Sequence, residues 1–108
     1  MSEIMHNKLV RDSIPDIITQ NGDTPVWHTA EGEEVLRASL VKIVEEANEI
    51  LESGGSLEEF ADLKEVWLKT TQLLGYSEEM IETARLEKAK KRGGLSLNII
   101  LDKVVLHD

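Results

Sequence analysis

The 108-residue chain contains no cysteine, and its 12 Lys and Arg are outnumbered by 21 Asp and Glu, leaving a net charge of −9. Without cysteine there is neither a disulfide framework nor a thiolate metal site, which fits a reducing compartment. The shortage of positive charge argues against wrapping a nucleic-acid backbone, whose usual footprint is a basic patch. No nucleic-acid polymer is therefore expected as a partner, and a phosphorylated ligand would need metal to bridge it to this chain. No apolar run approaches the ~20 residues that a membrane-spanning helix requires, so no membrane partner is expected. Met1 to Arg11 lacks the apolar core of a signal peptide, which predicts a soluble cytoplasmic protein. The length fits one domain, residues 1–108, with a modest core.

What the chain does have is helical periodicity and acid. A long helix is predicted from Gly32 or Glu33 to Ser53, with acids in its first turn where the helix dipole favours them and Gly54-Gly55 as its stop. A second runs from about Leu57 to Leu74, and a third begins near Ser77 and ends at Gly93. A short one follows Ser13, a candidate cap, with Pro15 tolerated in its first turn and Ile14, Ile17 and Ile18 on one face before Asn21-Gly22. Thr24 to Ala30 reads as an extended stretch or edge strand. His28, within it, has no partner at metal-site spacing and reads as a surface or hydrogen-bonded residue. Gly94 to Leu101 reads as a strand and Val104 to Leu106 as the second arm of a small hairpin, which would pack on the helices or pair with Thr24 to Ala30.

The centre of the chain is Glu45 to Asp62. Residues three apart on a helix share a face, so Glu46 with Glu49, and Glu59 with Asp62, each aim two carboxylates one way. The Gly54-Gly55 break lets the two helices fold back antiparallel, and the four carboxylates can then meet. Such a cluster repels itself unless a cation sits in it. Hard oxygen ligands suit Mg²⁺, which keeps several waters and binds through a few carboxylates plus substrate phosphates.

Plainer readings stand beside this one. At about 100° per residue, Leu36, Leu40, Ile43, Val44, Ala47, Ile50 and Leu51 form one apolar stripe on the first long helix. Glu45, Glu49 and Glu52 lie opposite and Glu46 at the stripe's edge, so a solvated acidic face accounts for them. On the second long helix Glu59 falls between Leu63 and Val66, inside a wide apolar arc with Phe60, Trp67 and Leu74. A carboxylate there must pair, bind metal or become neutral. Alternatively, Ser56-Leu57-Glu58-Glu59 is a capping box in which Glu59 reaches back to the Ser56 amide. Because Leu63, Val66 and Leu73 lie away from the centre of that arc, the helix needs a second packing partner, either another subunit or the first short helix. On the last helix, Lys88, Lys91 and Arg92 share the side of Met80, Ile81 and Ala84; the helix dipole alone favours cations at this end.

Four segments resemble the MazG superfamily of all-α nucleoside triphosphate pyrophosphohydrolases, in its short house-cleaning branch. Glu45-Glu46-Ala47-Asn48-Glu49 resembles the EExxE motif and Glu59-Phe60-Ala61-Asp62 the downstream ExxD. Asn7 to Pro15 is similar to the NKLVRDKIP start of that branch, and Lys91-Arg92-Gly93-Gly94-Leu95 to its RGGF segment. Ser13 stands where the branch often has lysine, and Leu95 where it often has phenylalanine. Nine residues, 50–58, separate the two acidic motifs, a shorter span than in many relatives, and this leaves Glu45, Glu58 and Glu65 as alternative ligands.

The resemblance implies a MazG-like helical bundle, and the excess apolar surface of the Leu57 to Leu74 helix predicts its completion as a homodimer or homotetramer. It implies Mg²⁺-dependent cleavage, with Mn²⁺ as a substitute, between the α- and β-phosphates of a non-canonical or deoxynucleoside triphosphate. Glu46, Glu49, Glu59 and Asp62 would be the catalytic metal-holding set, and Lys8, Arg11, Lys91 and Arg92 the phosphate contacts. Phosphoribosyl-ATP or dUTP could replace the triphosphate within the same fold. A non-catalytic acidic helical interaction module is the reading from another class.

Overall fold

A computed structural model describes residues 2–107. Four helices follow in order: α1, Ile14–Gln20; α2, Gly32–Ser53; α3, Leu57–Leu73; and α4, Glu78–Arg92. They belong to two units, Met1–Gly75 and Tyr76–Asp108.

In the first unit α1 starts at Ser13 with Pro15 in its first turn, but the Ser13 side chain makes no capping bond; the expected serine cap is absent because Ser13 already has right-handed helical backbone angles. The centre of the unit is the pair α2 and α3, which pack against each other. Gly54 and Gly55 adopt φ of +71° and +94°, values that cost a residue with a Cβ but not glycine. The Gly54 amide donates to the Leu51 carbonyl and the Gly55 amide to that of Ile50, so the last carbonyls of α2 are satisfied as the chain reverses. The next residue, Ser56, caps α3, its hydroxyl accepting from the Glu59 amide at 3.4 Å.

The residues buried between the two helices are Ser39 and Glu46 on α2 and Val66 and Thr70 on α3. Ser39 and Glu46 lie seven apart, as do Glu59 and Val66, so one face of each helix recurs at coiled-coil spacing. Two of these polar groups are satisfied within their own helix: the Ser39 hydroxyl donates to the Val35 carbonyl at 2.8 Å and that of Thr70 to the Val66 carbonyl at 2.7 Å. Val66, 6% exposed, is the one buried apolar side chain among the described residues. The apolar stripe of α2 is only partly covered: Leu36, Ile43 and Ile50 are half-buried, while Leu40, Val44 and Leu51 are exposed.

In the second unit Ser77 caps α4 by accepting from the Met80 amide at 3.1 Å, and Gly93 follows its last turn, which carries Lys90, Lys91 and Arg92. The expected strand and hairpin of residues 94–106 are not formed; the segment makes a turn in which the Asn98 amide donates to the Leu95 carbonyl and Asn98 takes a φ of +57°. The extended stretch Thr24 to Ala30 likewise forms no strand. Apolar alternation proposes a strand only where a ladder partner supplies hydrogen bonds, and a lone two-stranded ribbon is marginal. The all-α expectation holds among the described residues; the β appendage does not. Among the described residues no helix is long and apolar enough to cross a membrane.

Candidate metal centre

Glu46 and Glu49 on α2 converge with Glu59 and Asp62 on α3. Each offers a carboxylate oxygen, and the four oxygens lie within 4.8 Å of one another. In Mg²⁺ coordination, opposite ligands at 2.0–2.1 Å from the ion stand about 4 Å apart, so one divalent cation spans this group with small side-chain adjustments. Glu46 Oε2 and Glu59 Oε2 are buried and have no hydrogen-bond partner. A buried carboxylate oxygen without a partner carries its full desolvation cost, and two of them in one cluster fit a hard cation.

Both plainer readings fail here. The solvated-face reading of α2 does not hold for Glu46, which is 5% exposed, and Glu49 is half-buried. The capping box forms only in part. Ser56 accepts from the Glu59 amide, but the Ser56 amide donates to Ser53 Oγ at 3.1 Å, so the Glu59 carboxylate is not used in the cap. Glu45, Glu58 and Glu65 stand outside the group of four.

The amino-terminal segment brings two predicted phosphate contacts to the edge of this cluster. Arg11 Nη2 lies 2.8 Å from Asp62 Oδ1, and Arg11 Nη1 lies 3.5 Å from Glu65 Oε1. Lys8 Nζ lies 2.9 Å from Glu45 Oε1. One strand of irregular backbone is thus tied to both helices by cations. Lys91 and Arg92 belong to the second unit, exposed in the last turn of α4. His28 is hydrogen-bonded, its Nε2 2.8 Å from Glu34 Oε2.

Lys42 was not singled out from the sequence. Its Nζ lies 3.3 Å from Glu46 Oε1 and 3.4 Å from Glu45 Oε1. The signal was present, because Lys42 precedes these two acids by three and four residues on one helix. A solvated pair of that kind is common enough to pass unnoticed; what the sequence did not reveal is that this one is 18% exposed on the lysine side.

The neighbouring acids Glu45 and Glu46 titrate in opposite directions. The hydrogen bond from Lys8, helped by Lys42, holds the Glu45 carboxyl below its ordinary value against the opposing effect of burial. Burial, and then the adjacent Glu49 carboxyl, push Glu46 up in spite of Lys42. Glu45 therefore adds stability above its unfolded-state pKa that is lost as pH falls through the lower folded value. Glu46 has the other sign: ionised, it costs stability, and the cost is relieved as pH falls through its raised folded pKa. In chelator, Glu46→Gln is expected to raise the melting temperature at neutral pH, with the gain shrinking on acidification. With Mg²⁺ added, the same variant should lose metal-induced stabilisation. A metal-free melting temperature below wild type at neutral pH would refute the sign assigned to Glu46.

Comparison of the chain with known protein families, curated proteins and solved structures gave no match.

Proposed function

We propose that the protein is a Mg²⁺-dependent nucleoside triphosphate pyrophosphohydrolase of the MazG-like kind, acting as a homodimer or homotetramer in house-cleaning of non-canonical or deoxynucleoside triphosphates. The observation that carries this reading is the convergence of Glu46, Glu49, Glu59 and Asp62, with two buried oxygens lacking partners. The reaction adds water across the bond between the α- and β-phosphates, giving a nucleoside monophosphate and pyrophosphate. When bound, the metal would supply charge neutralisation of the phosphates and a lowered pKa for an attacking water.

The chain's own residues supply the rest. The four carboxylates hold the ion, and one of them orients the water or takes its proton. Lys42 and Arg11 sit on Glu46 and Asp62, fixing those side chains while leaving each carboxylate a second oxygen for metal. Arg11, on Asp62, and Lys8, on the adjoining Glu45, can turn from carboxylate to phosphate when an anion arrives. Lys91 and Arg92, in the second unit, are phosphate contacts by the MazG resemblance alone.

A panel of nucleotides that includes dUTP and phosphoribosyl-ATP, assayed for pyrophosphate release with Mg²⁺ and with chelator, tests it directly. Release that depends on Mg²⁺ supports the reading, and the preferred nucleotide names the substrate. Nucleotide binding without turnover would make the chain a sensor or interaction module instead.

Arg92 offers a narrower test. An exposed cation at a helix end contributes about 0.3–1 kcal/mol through the dipole. If Arg92 clamps triphosphate, Arg92→Ala raises KM or lowers kcat by about tenfold or more, while the nucleotide-free melting temperature moves little. Lysine is a poor replacement, lacking the planar fork of a guanidinium. Equal stabilisation of wild type and Arg92→Ala by a non-hydrolysable triphosphate with Mg²⁺ would remove Arg92 from the site.

A further inference from the structure

Next to the carboxylate cluster, α2 and the amino-terminal segment enclose a half-open cavity of about 250 Å³. Its lining includes three cations, Lys8, Arg37 and Lys42, beside the apolar Ala38 and Val41. The cations have few acceptors. Lys8 Nζ and Lys42 Nζ share a single oxygen, Glu45 Oε1, at 2.9 and 3.4 Å, and Lys42 has one further contact, with Glu46 Oε1 at 3.3 Å. An ammonium offers three donors, so this pair keeps donors in hand. Glu34, the other acid of the lining, is bonded to His28. Arg37, with a guanidinium that offers five donors, forms no ion pair among the described residues.

A concave site with spare cationic donors takes an anion rich in oxygen. Its position narrows the choice, because Lys42 belongs both to the cavity and, through Glu46, to the metal-holding group. Three cations line the cavity, and a diphosphate offers them more acceptor oxygens than a single phosphate does.

We infer that this cavity seats the pyrophosphate end of the substrate, the β- and γ-phosphates, with Arg37, Lys42 and Lys8 as its donors. The inference rests on the pyrophosphohydrolase reading and adds the place and the residues that hold the leaving group. Arg37 and Lys42 become binding residues, and Glu45 becomes the acceptor that keeps the two lysines in position until phosphate replaces it.

Isothermal titration with inorganic pyrophosphate in Mg²⁺ tests the inference without any need for turnover, with inorganic phosphate and a nucleoside monophosphate as comparisons. Wild type should bind pyrophosphate more tightly than phosphate. Arg37→Gln, an exposed position with no ion pair to lose, should keep its helical content and weaken pyrophosphate about tenfold or more, with monophosphate affinity unchanged. Lys42→Gln should weaken pyrophosphate as well. No pyrophosphate binding by wild type, or unchanged affinity in a folded Arg37→Gln, would overturn the assignment. Arg37-dependent pyrophosphate binding in a protein that hydrolyses no nucleotide would keep the cavity and reject the hydrolase reading. Hydrolysis with Arg37-independent pyrophosphate affinity would do the reverse.

Discussion

Replacing Glu59 by glutamine is expected to abolish Mg²⁺-dependent pyrophosphate release while leaving the helices folded. The two expectations come from separate atoms of one residue. The α3 cap uses the Glu59 backbone amide, which donates to Ser56 Oγ and survives the substitution. The carboxylate is in the metal-holding group, and its Oε2 is buried without a partner. Glutamine keeps the shape but replaces one oxygen with a donor and removes the charge, so the ion loses a ligand and the neighbouring carboxylates lose the balance that an ion provides. Loss of a group that acts only through the reacting centre lowers turnover by orders of magnitude. In chelator, the variant should melt at or above the wild-type temperature, because one like charge has left the cluster. Glu52→Gln is the control: Glu52 is exposed on the outer side of α2 and should be nearly silent. Normal hydrolysis by Glu59→Gln would return Glu59 to a plain cap, and an equal loss at Glu52 would show that bulk charge, not a site, is being read.

Glu59 also marks how far the sequence could be read. Its place inside an apolar arc and the three-residue spacing of each acid pair were enough to name the four residues that converge. The helix boundaries followed from glycines and serines whose local chemistry acts without tertiary help, such as Gly54 in the left-handed region and the Ser77 cap. Glu46 shows what periodicity missed. At about 100° per residue, the seam of α2 centred on Ser39 and Glu46 lies about a quarter-turn from the centre of the apolar stripe. The stripe's centre put Glu46 at its edge and Glu49 in solvent, yet the most buried residues of α2 are the small Ser39 and the acidic Glu46, with only the near side of the stripe, Leu36, Ile43 and Ile50, half-buried beside them. Hydrophobic pattern finds a buried face but does not say which partner buries it. The same gap explains residues 94–106, where alternation mimics a strand but no ladder partner makes one. The ion pairs of Lys8 with Glu45 and Arg11 with Asp62 join positions 37 and 51 residues apart, beyond the reach of local spacing.

The displaced stripe leads to the second large effect: if the chain assembles as proposed, Leu40→Asp is expected to break the homo-oligomer and take most of the helical structure with it. Leu40 is 44% exposed and Leu51 80%, with Val44 exposed between them, while Phe60, Trp67 and Leu68 are exposed on α3. So many exposed large apolar side chains on two packed helices are what an interaction face would cover. Among the described residues of the first unit only Val66 is buried as an apolar side chain, with Leu36, Ile43, Ile50 and Leu63 half-buried, a small core against the conformational entropy of ordering the chain. A second copy meeting the first across a two-fold axis buries each exposed residue twice. Full burial of a leucine stabilises by about 1.5–3 kcal/mol, so losing Leu40 in both copies removes about 3–6 kcal/mol. Aspartate adds the cost of an unpaired charge at the same place. Against a typical total of 5–15 kcal/mol, that is enough to unfold a marginal dimer. Wild type should scatter light as a dimer or larger at micromolar concentration, and its melting temperature should rise with protein concentration. Leu40→Asp should lose most of its far-ultraviolet helical signal under the same conditions. A wild type that runs as a compact 12.1 kDa monomer with a concentration-independent melting temperature would contradict the assembly, and so would a Leu40→Asp variant of unchanged size and stability.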